Sequence, residues 1–233
     1  MEEILIEFSK SSEPKQKLRG AMLFSSNNHG GPVYVLEEGY SKIVTIAPDQ
    51  RETIFRCDGP GSILGYSVLD GRSQIRSSAQ MITSGVVREI PAAKFDHLLR
   101  SDFRIWRWLA QQEAKQRESL EKRLEIMGLA DAKQRIRALL PHLIRECSFP
   151  LQPNGSFIIP LKQSELASFA GVTRETTSAT LNALCRQKLI EILRGRIVIP
   201  DLAALENAGP IETSSIQSSR HDADLLSQAA SSF

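Results

Sequence analysis

The sequence predicts an α+β protein: an antiparallel sandwich or roll, then one long helix, then a helix-turn-helix closed by a hairpin. Three observations carry that order. Residues from about 18 to 95 hold β-rich runs broken by Gly/Pro/Asp clusters. Asp102 to about Met127 runs without proline or glycine. Near Gly171 a tight turn separates two short helical segments, and alternating apolar residues follow. Period-two runs between turn clusters read as strands, and long uninterrupted segments read as helices.

The first strands are Val33-Tyr34-Val35-Leu36 and Lys42-Ile43-Val44-Thr45-Ile46, placed around Glu37-Glu38-Gly39. Thr53-Ile54-Phe55 and Val86-Val87-Arg88-Glu89-Ile90 continue the pattern. At Pro91 the character changes. Ala92 to Leu99 sets Phe95, Leu98 and Leu99 on one helical face. The Asp102–Met127 stretch is about 26 residues, roughly 39 Å as a helix. Its apolar residues crowd both ends, while Gln111 to Ser119 is almost wholly polar. A free helix of this kind needs a partner to stay ordered. That partner is its twin in a dimer or its own β domain, and both can hold on different faces. Gly128 and Asp131 mark a hinge and a new helix start. Ile136, Leu139, Leu140 and Leu143 define the next amphipathic helix, and Phe149 to Pro160 reads as a loop and short strand. Helices over about 163–170 and 174–186 precede a hairpin, Ile190 to Ile199. After Glu206 the chain turns Ser-rich, and Gly209 to Phe233 is expected to be disordered.

The 233 residues carry 29 Lys/Arg and 27 Asp/Glu, a net charge of +2 that gives no gross electrostatic bias. The bias appears on division. Residues 131–205 hold ten Lys/Arg against six Asp/Glu, whereas residues 206–233 hold one against four. A local cationic excess points toward a polyanion. Cys57, Cys147 and Cys185 stand far apart without metal or redox spacing, so reduced, mostly buried thiols in a cytoplasmic protein are expected. The acidic amino terminus is too short in apolar residues for a signal peptide, and no run is long enough for a membrane span. No phosphate-cradling glycine loop, zinc-protease histidine pair or nucleophile elbow is present. An enzyme, a metal site and a cofactor are therefore not expected. The histidines, His29, His97, His142 and His221, are scattered.

The informative stretch is Gln163 to Leu181. Thr173 can cap the second helix by accepting from the amide of Glu175 or Thr176. Ala167 is small where two helices must approach, and Gly171 can take the positive φ of the turn. The second helix of such a unit enters the major groove amino terminus first, which puts Arg174, Glu175 and Ser178 on its leading face. Arginine can donate two bonds to guanine and glutamate can accept from cytosine. Thr173, Thr176, Gln163 and Ser164, at the helix starts, suit phosphate. Arg194-Gly195-Arg196 at the hairpin tip adds two cations for phosphate contact.

Here the sequence resembles the Crp/Fnr family of regulators over roughly residues 20–205. The resemblance rests on Thr173-Arg174-Glu175-Thr176 with Ser178, and on Leu189-Ile190 before the wing. Val33 to Gly39 and Glu89 to Phe95 add to it. It implies a cyclic-nucleotide-binding-type β-roll over residues 1–100 as a sensor-like domain and a dimerisation helix and hinge over 101–130. A winged helix-turn-helix DNA-binding domain over 131–206 and a disordered tail over 207–233 complete the expected division. It further implies a homodimer on a pseudo-palindromic operator of double-stranded DNA, contact with RNA polymerase, and no membrane partner. Three departures stand out: Ala179 where the family often has a second arginine, Lys162 where a Ser or Thr cap is usual, and Thr177 and Thr180 at usually apolar positions. The two threonines are expected to be semi-buried, with hydroxyls bonded back to the helix.

The family's nucleotide pocket uses Gly-Glu and, eleven residues after the glycine, Arg-Ser. Here the matching positions are Gly65-Tyr66 and Arg76-Ser77, so the spacing is kept and the carboxylate is lost. Leu120 and Glu121 replace the helix pair that would contact a base, and a glutamate buried beside a purine would carry a desolvation cost. The resemblance thus implies gating by a small anionic effector other than cyclic AMP, held by Gly65, Tyr66, Arg76 and Ser77. Two alternatives remain: an effector-independent regulator whose Arg76 is a structural ion-pair residue, and a sensor acting mainly through protein contacts.

Overall fold

Alternation along single strands sets the layers of the roll. The structure is a computed structural model that describes residues 8, 12–26, 31–48, 51–66, 77–129 and 131–209. Among the described residues the roll holds eight strands: β1 (Pro14–Lys17), β2 (Met22–Phe24), β3 (Val33–Glu38), β4 (Ser41–Ile46), β5 (Glu52–Asp58), β6 (Ile63–Leu64), β7 (Ser78–Met81) and β8 (Gly85–Ile90). They form two antiparallel sheets, in the orders β1-β8-β3-β6 and β2-β7-β4-β5. On β3, Tyr34 and Leu36 point between the sheets toward Phe24, Ile43, Met81 and Val87. Val33 and Val35 point the other way, toward Phe95, Leu99, Ile105 and Trp108 of the helices behind. Successive strand side chains face opposite sides, so one run serves two cores.

After the roll come α1 (Ala92–Ser101) and α2 (Phe103–Met127). Asp102 caps α2, its carboxylate accepting from the Arg104 amide at 2.9 Å. One face of α2 buries Ile105, Trp108, Leu109, Arg123 and Ile126 against its own chain. Another leaves Phe103, Trp106, Leu120 and Leu124 exposed. After Gly128, Asp131 caps α3 (Ala132–Cys147) by accepting from the Lys133 amide at 2.9 Å. Then come β9 (Phe157–Ile159), α4 (Gln163–Ala170), α5 (Arg174–Arg186), β10 (Glu191–Leu193), β11 (Arg196–Ile199) and α6 (Leu202–Asn207). The third sheet has the order β10-β11-β9. Among the described residues no helix is long and apolar enough to cross a membrane. Of the segment expected to be a disordered tail, residues 207–209 are described, and Arg137 donates to the carbonyls of Ala208 (2.6 Å) and Gly209.

The roll and the carboxyl-terminal unit share one core. Val44, Ile54, Cys57 and Ile82 of the roll pack with Ile126, Leu139, Leu143 and Phe169. Glu165 of α4 accepts from Lys42 at 3.3 Å and Arg19 at 3.4 Å. A Cβ on Gly59, just after β5, would sit 2.3 Å from the Cys147 carbonyl oxygen, so only glycine allows the loop to lie on the end of α3. Glu146 and His142 of α3 lie at this contact, their Oε2 and Nε2 atoms 3.5 Å apart.

Burial pushes the Glu146 carboxyl up from 4.5 to about 8, with Asp58 adding to the rise and Arg123 and Arg56 opposing it. Burial pulls His142 down from 6.5 to about 4, helped by Arg123, Arg145 and Lys122. Between their unfolded and folded values, Glu146 binds more proton folded and His142 binds less. The Glu146 contribution to stability therefore falls as pH rises, while that of His142 grows up to about pH 6.5. Above that point Glu146 acts alone. The unfolding free energy is expected to fall by up to ~2 kcal/mol between pH 6.5 and 8. Glu146→Gln should flatten that slope in urea titrations at the two pH values. An unchanged slope in the variant would assign it to other groups.

Candidate nucleic-acid interface

The reading unit is built from its caps inward. Lys162, standing where Ser or Thr was expected, donates its own amide to Glu165 Oε2 at 2.9 Å, so half of the capping box survives without the hydroxyl. Gly171 ends α4 at φ 61°, ψ 39°, and a Cβ there would approach Met127 Cε to 2.8 Å. The left-handed backbone demands glycine at this turn, whereas the flexible Met127 tip could move aside. Thr173 Oγ1 accepts from the Thr176 amide at 3.2 Å and lies 3.0 Å from Thr176 Oγ1. The cap and turn together fix the start of α5.

The inner face of α5 explains the two unusual threonines. Thr177 Oγ1 donates to the Thr173 carbonyl at 3.0 Å, and Thr180 Oγ1 donates to the Thr176 carbonyl at 2.7 Å. Both side chains are fully buried rather than semi-buried, among neighbours such as Leu181 and Leu184. The back-bond hides each hydroxyl, leaving a methyl to pack.

The outer face carries the chemistry. Arg174 and Glu175 are exposed, while Ser178 is half-buried one turn on. Ala179, Asn182 and Arg186 continue the exposed stripe. Asn182 and Arg186 were not singled out from sequence, although their i, i+4 spacing from Ser178 and Asn182 respectively is the signal that places them on this face. Gly195, at φ 75°, turns the β10–β11 hairpin, and Arg194 and Arg196 stand exposed beside it. Gln163, Ser164, Arg174, Arg194 and Arg196 line one open groove of about 450 Å³, together with Lys162. Residues as far apart in sequence as Lys162 and Arg196 are thus brought to one cationic concavity bounded by the starts of two helices and the hairpin. Glu175 and Ser178 lie outside its lining.

The effector positions are only partly described. Gly65 adopts φ 80°, with Pro32 O 3.2 Å from where a Cβ would be. Tyr66 packs partly buried on the core behind the first sheet. Ser77 is half-buried. Arg76 lies outside the described residues, so its expected role has no structural account. Leu120 is exposed, as is Glu121, whose carboxylate accepts from Arg117 at 2.8 Å. Glu121 is thus solvated and paired, and escapes the desolvation cost that burial would bring. Among the described residues no group of three or more ligands suits a metal.

Comparison with known proteins covers both halves. The cyclic nucleotide-binding domain model matches residues 14–102, and the Crp-like helix-turn-helix domain model matches residues 134–208. Transcriptional regulator LdrP of Thermus thermophilus is 27% identical over 192 residues, covering 82% of this chain and 94% of the relative. The probable transcriptional regulator flp of Lacticaseibacillus casei is 27% identical over 177 residues, covering 76% and 78%. The relatives are regulators, in accord with a chain in which no catalytic constellation was read. Among solved structures, a CRP-family transcriptional regulator of Thermus thermophilus superposes with a TM-score of 0.70 at 24% identity, covering 85% of this chain and 98% of that one. FixK2 of Bradyrhizobium japonicum superposes at 0.71 with 19% identity, covering 88% and 98%. With both domain models matched in this order along one chain, the protein belongs to the Crp/Fnr family of transcription regulators.

Proposed function

We propose that this regulator works as a homodimer that reads a pseudo-palindromic operator with two copies of α5, about one helical turn apart. The observation that carries the reading is the groove that joins Arg174 to Arg194 and Arg196 across the starts of α4 and α5. Arg174, Glu175 and Ser178 serve as the base-reading side chains. Thr173, Thr176, Gln163, Ser164 and the wing arginines serve phosphate. The exposed apolar residues of α2 support the pairing of two copies. The division at residues 100, 130 and 206 into sensor-like roll, dimerisation helix, reading domain and tail belongs to the same proposal, as does a cytoplasmic setting. So does gating by a small anionic effector at Gly65, Tyr66, Arg76 and Ser77, along with contact to RNA polymerase.

The roles separate in a binding titration against a selected operator and its single-base variants. Arg174→Ala is expected to relax discrimination at one base pair by about 1–3 kcal/mol. Arg196→Ala is expected to weaken binding to all sequences alike and to lower the salt slope by about one. If Arg174→Ala kept both affinity and preference, α5 would not be the reading helix.

A further inference from the structure

Three parts of the chain close on one cavity of about 430 Å³. The roll supplies Arg56 to Ser62 from the end of β5 onward, α2 supplies side chains between Gln112 and Lys122, and the end of α3 supplies His142 to Cys147. Small-molecule sites span about 300–1,000 Å³, so the space suits one. Gly65, Tyr66 and Ser77 form no part of its wall, which sets it apart from the effector positions expected from sequence. The wall is polar and held in place. Arg56 donates to Asp58 Oδ2 at 3.0 Å and to Gln116, which ties β5 to α2. Ser119 Oγ and Glu146 Oε2 each lie 3.5 Å from His142 Nε2. The His142 and Glu146 side chains are 9% and 10% exposed. Even so, Glu146 Oε2 is buried with no hydrogen-bond partner among the described residues. Such an oxygen costs free energy until something bonds to it. Burial keeps both groups largely uncharged at neutral pH, so the floor offers hydrogen bonds rather than charge. The charge stands at the mouth, where Lys115, Lys122 and Arg145 are exposed. Lys122 pairs with Glu125 and Arg145 with Glu206, whereas Lys115 has no carboxylate partner among the described residues.

We propose that this cavity binds a small organic anion, with an uncharged hydrogen-bonding body against Ser119, His142 and Glu146 and a carboxylate or phosphate at Lys115. The carboxyl torsion of Glu146 is soft, so a modest rotation brings its unpartnered oxygen to the ligand. The neutral floor accepts hydroxyls or amides without the cost of burying a second charge. The unpaired ammonium at the mouth sets the sign of the ligand. A molecule seated here touches the roll, the long helix and the reading unit at once. Binding therefore favours the mutual arrangement of those three parts seen in the structure, in proportion to the ligand's preference for it. The site needs no contribution from α5 or the hairpin arginines, so it stands apart from the reading of DNA.

The test titrates the full chain at fixed ionic strength with glucose 6-phosphate and with citrate, and with glucose and sulfate as controls. Binding is read by calorimetry and by amide chemical shifts. At least one of the two organic anions is expected to bind with a dissociation constant of about 1 mM or tighter, and more tightly than either control. Which of the two binds better tells phosphate from carboxylate. The shifts should centre on the end of β5, the middle of α2 and the end of α3. Lys115→Glu alters an exposed side chain and should weaken binding by about tenfold. Ser119→Phe fills the cavity and should abolish it. The reading groove is also cationic, so the same titration is run on Arg194→Ala with Arg196→Ala, which should bind as the native chain does. Binding that survives Lys115→Glu but is lost with the hairpin arginines belongs to the groove and overturns the proposal. So does failure of both organic anions to bind more tightly than sulfate and glucose. No DNA enters the measurement, so either failure leaves the role of α5 untouched.

Discussion

Arg123→Met is expected to destabilise the chain by about 3–5 kcal/mol in urea unfolding, far more than the loss of an ordinary helix arginine. Arg123 stands near the end of α2 and is 7% exposed. Its guanidinium donates to the carbonyls of Ile54 (2.5 Å), Phe55 and Phe169 (2.8 Å). The first two belong to β5 and the third to α4, so one side chain fastens the roll, the long helix and the reading unit. The carbonyls are available for local reasons. The β4–β5 register slips between Ile43 and Val44, which leaves Phe55 as an extra residue in a bulge. Phe169 lies in the last turn of α4, where carbonyls lack helical partners and the helix dipole favours a cation. The guanidinium carbon also sits 3.9 Å from the centre of the Phe169 ring.

Methionine fills part of the same volume but orphans those three acceptors, each costing about 1–3 kcal/mol when buried. Arg123→Lys keeps the charge and loses the fork, so it should fall between the native chain and Arg123→Met. If methionine changed the unfolding midpoint by less than lysine did, packing alone would account for the site and the hydrogen bonds would count for little. A separate consequence concerns motion. Without this fastening, the reading unit should gain freedom about Gly128, and amides of α4 should exchange faster than those of α1.

Arg123 marks where the sequence stops being legible. It lies in Glu121-Lys122-Arg123-Leu124-Glu125, a charged cluster that reads as a solvated helix face, and its neighbours Glu121, Lys122 and Glu125 are indeed exposed. Nothing in the local pattern says that a bulge in β5 will present two carbonyls to one of the five. The strands at Val33–Leu36 and Lys42–Ile46 were legible because β-branched and other apolar residues run together between turn residues, as they do where side chains face two cores. β1 was not, since Pro14-Lys15-Gln16-Lys17 is an edge strand whose lysines pair with Glu89 on β8, at 2.6 and 2.8 Å. The caps at Asp102, Asp131 and Thr173 were legible because a cap is a local bond. Asp201 is the same kind of signal, accepting from the Ala204 amide at 3.0 Å to start α6. It was passed over because the six-residue helix behind it is too short to show a period. The reading groove is half local. Its α5 residues follow from the cap and the turn, whereas the joining of Arg174 to the hairpin arginines depends on a sheet closed by β9.

Trp106→Asp is expected to raise the dimer dissociation constant by about 100-fold or more, with a matching loss of operator binding at low protein concentration. The argument begins with which residues of α2 its own chain leaves uncovered. Phe103 is 78% exposed, Trp106 49%, Leu120 48% and Leu124 63%. With Ala110, Glu113 and Arg117 between them, these positions step along the helix by three and four in strict alternation. That is the spacing of the narrow seam two helices use when they wrap each other, here apolar at both ends. The residues that α2 buries in its own chain, Ile105, Trp108, Leu109 and Ile126, fall on a different face and leave this seam uncovered. Around a two-fold axis each substitution counts twice, and the two new carboxylates face each other across the seam. A loss of about 1.5–2 kcal/mol per copy then gives the 100-fold change, at about 1.4 kcal/mol for each factor of ten. Trp106→Phe should keep the dimer, and Arg107→Asp, exposed but off the seam, should leave it intact. Sedimentation of the three variants at equal concentration decides the matter. If Trp106→Asp sediments with the native chain, this seam does not join the two copies, and the pairing of reading helices must be built from some other surface.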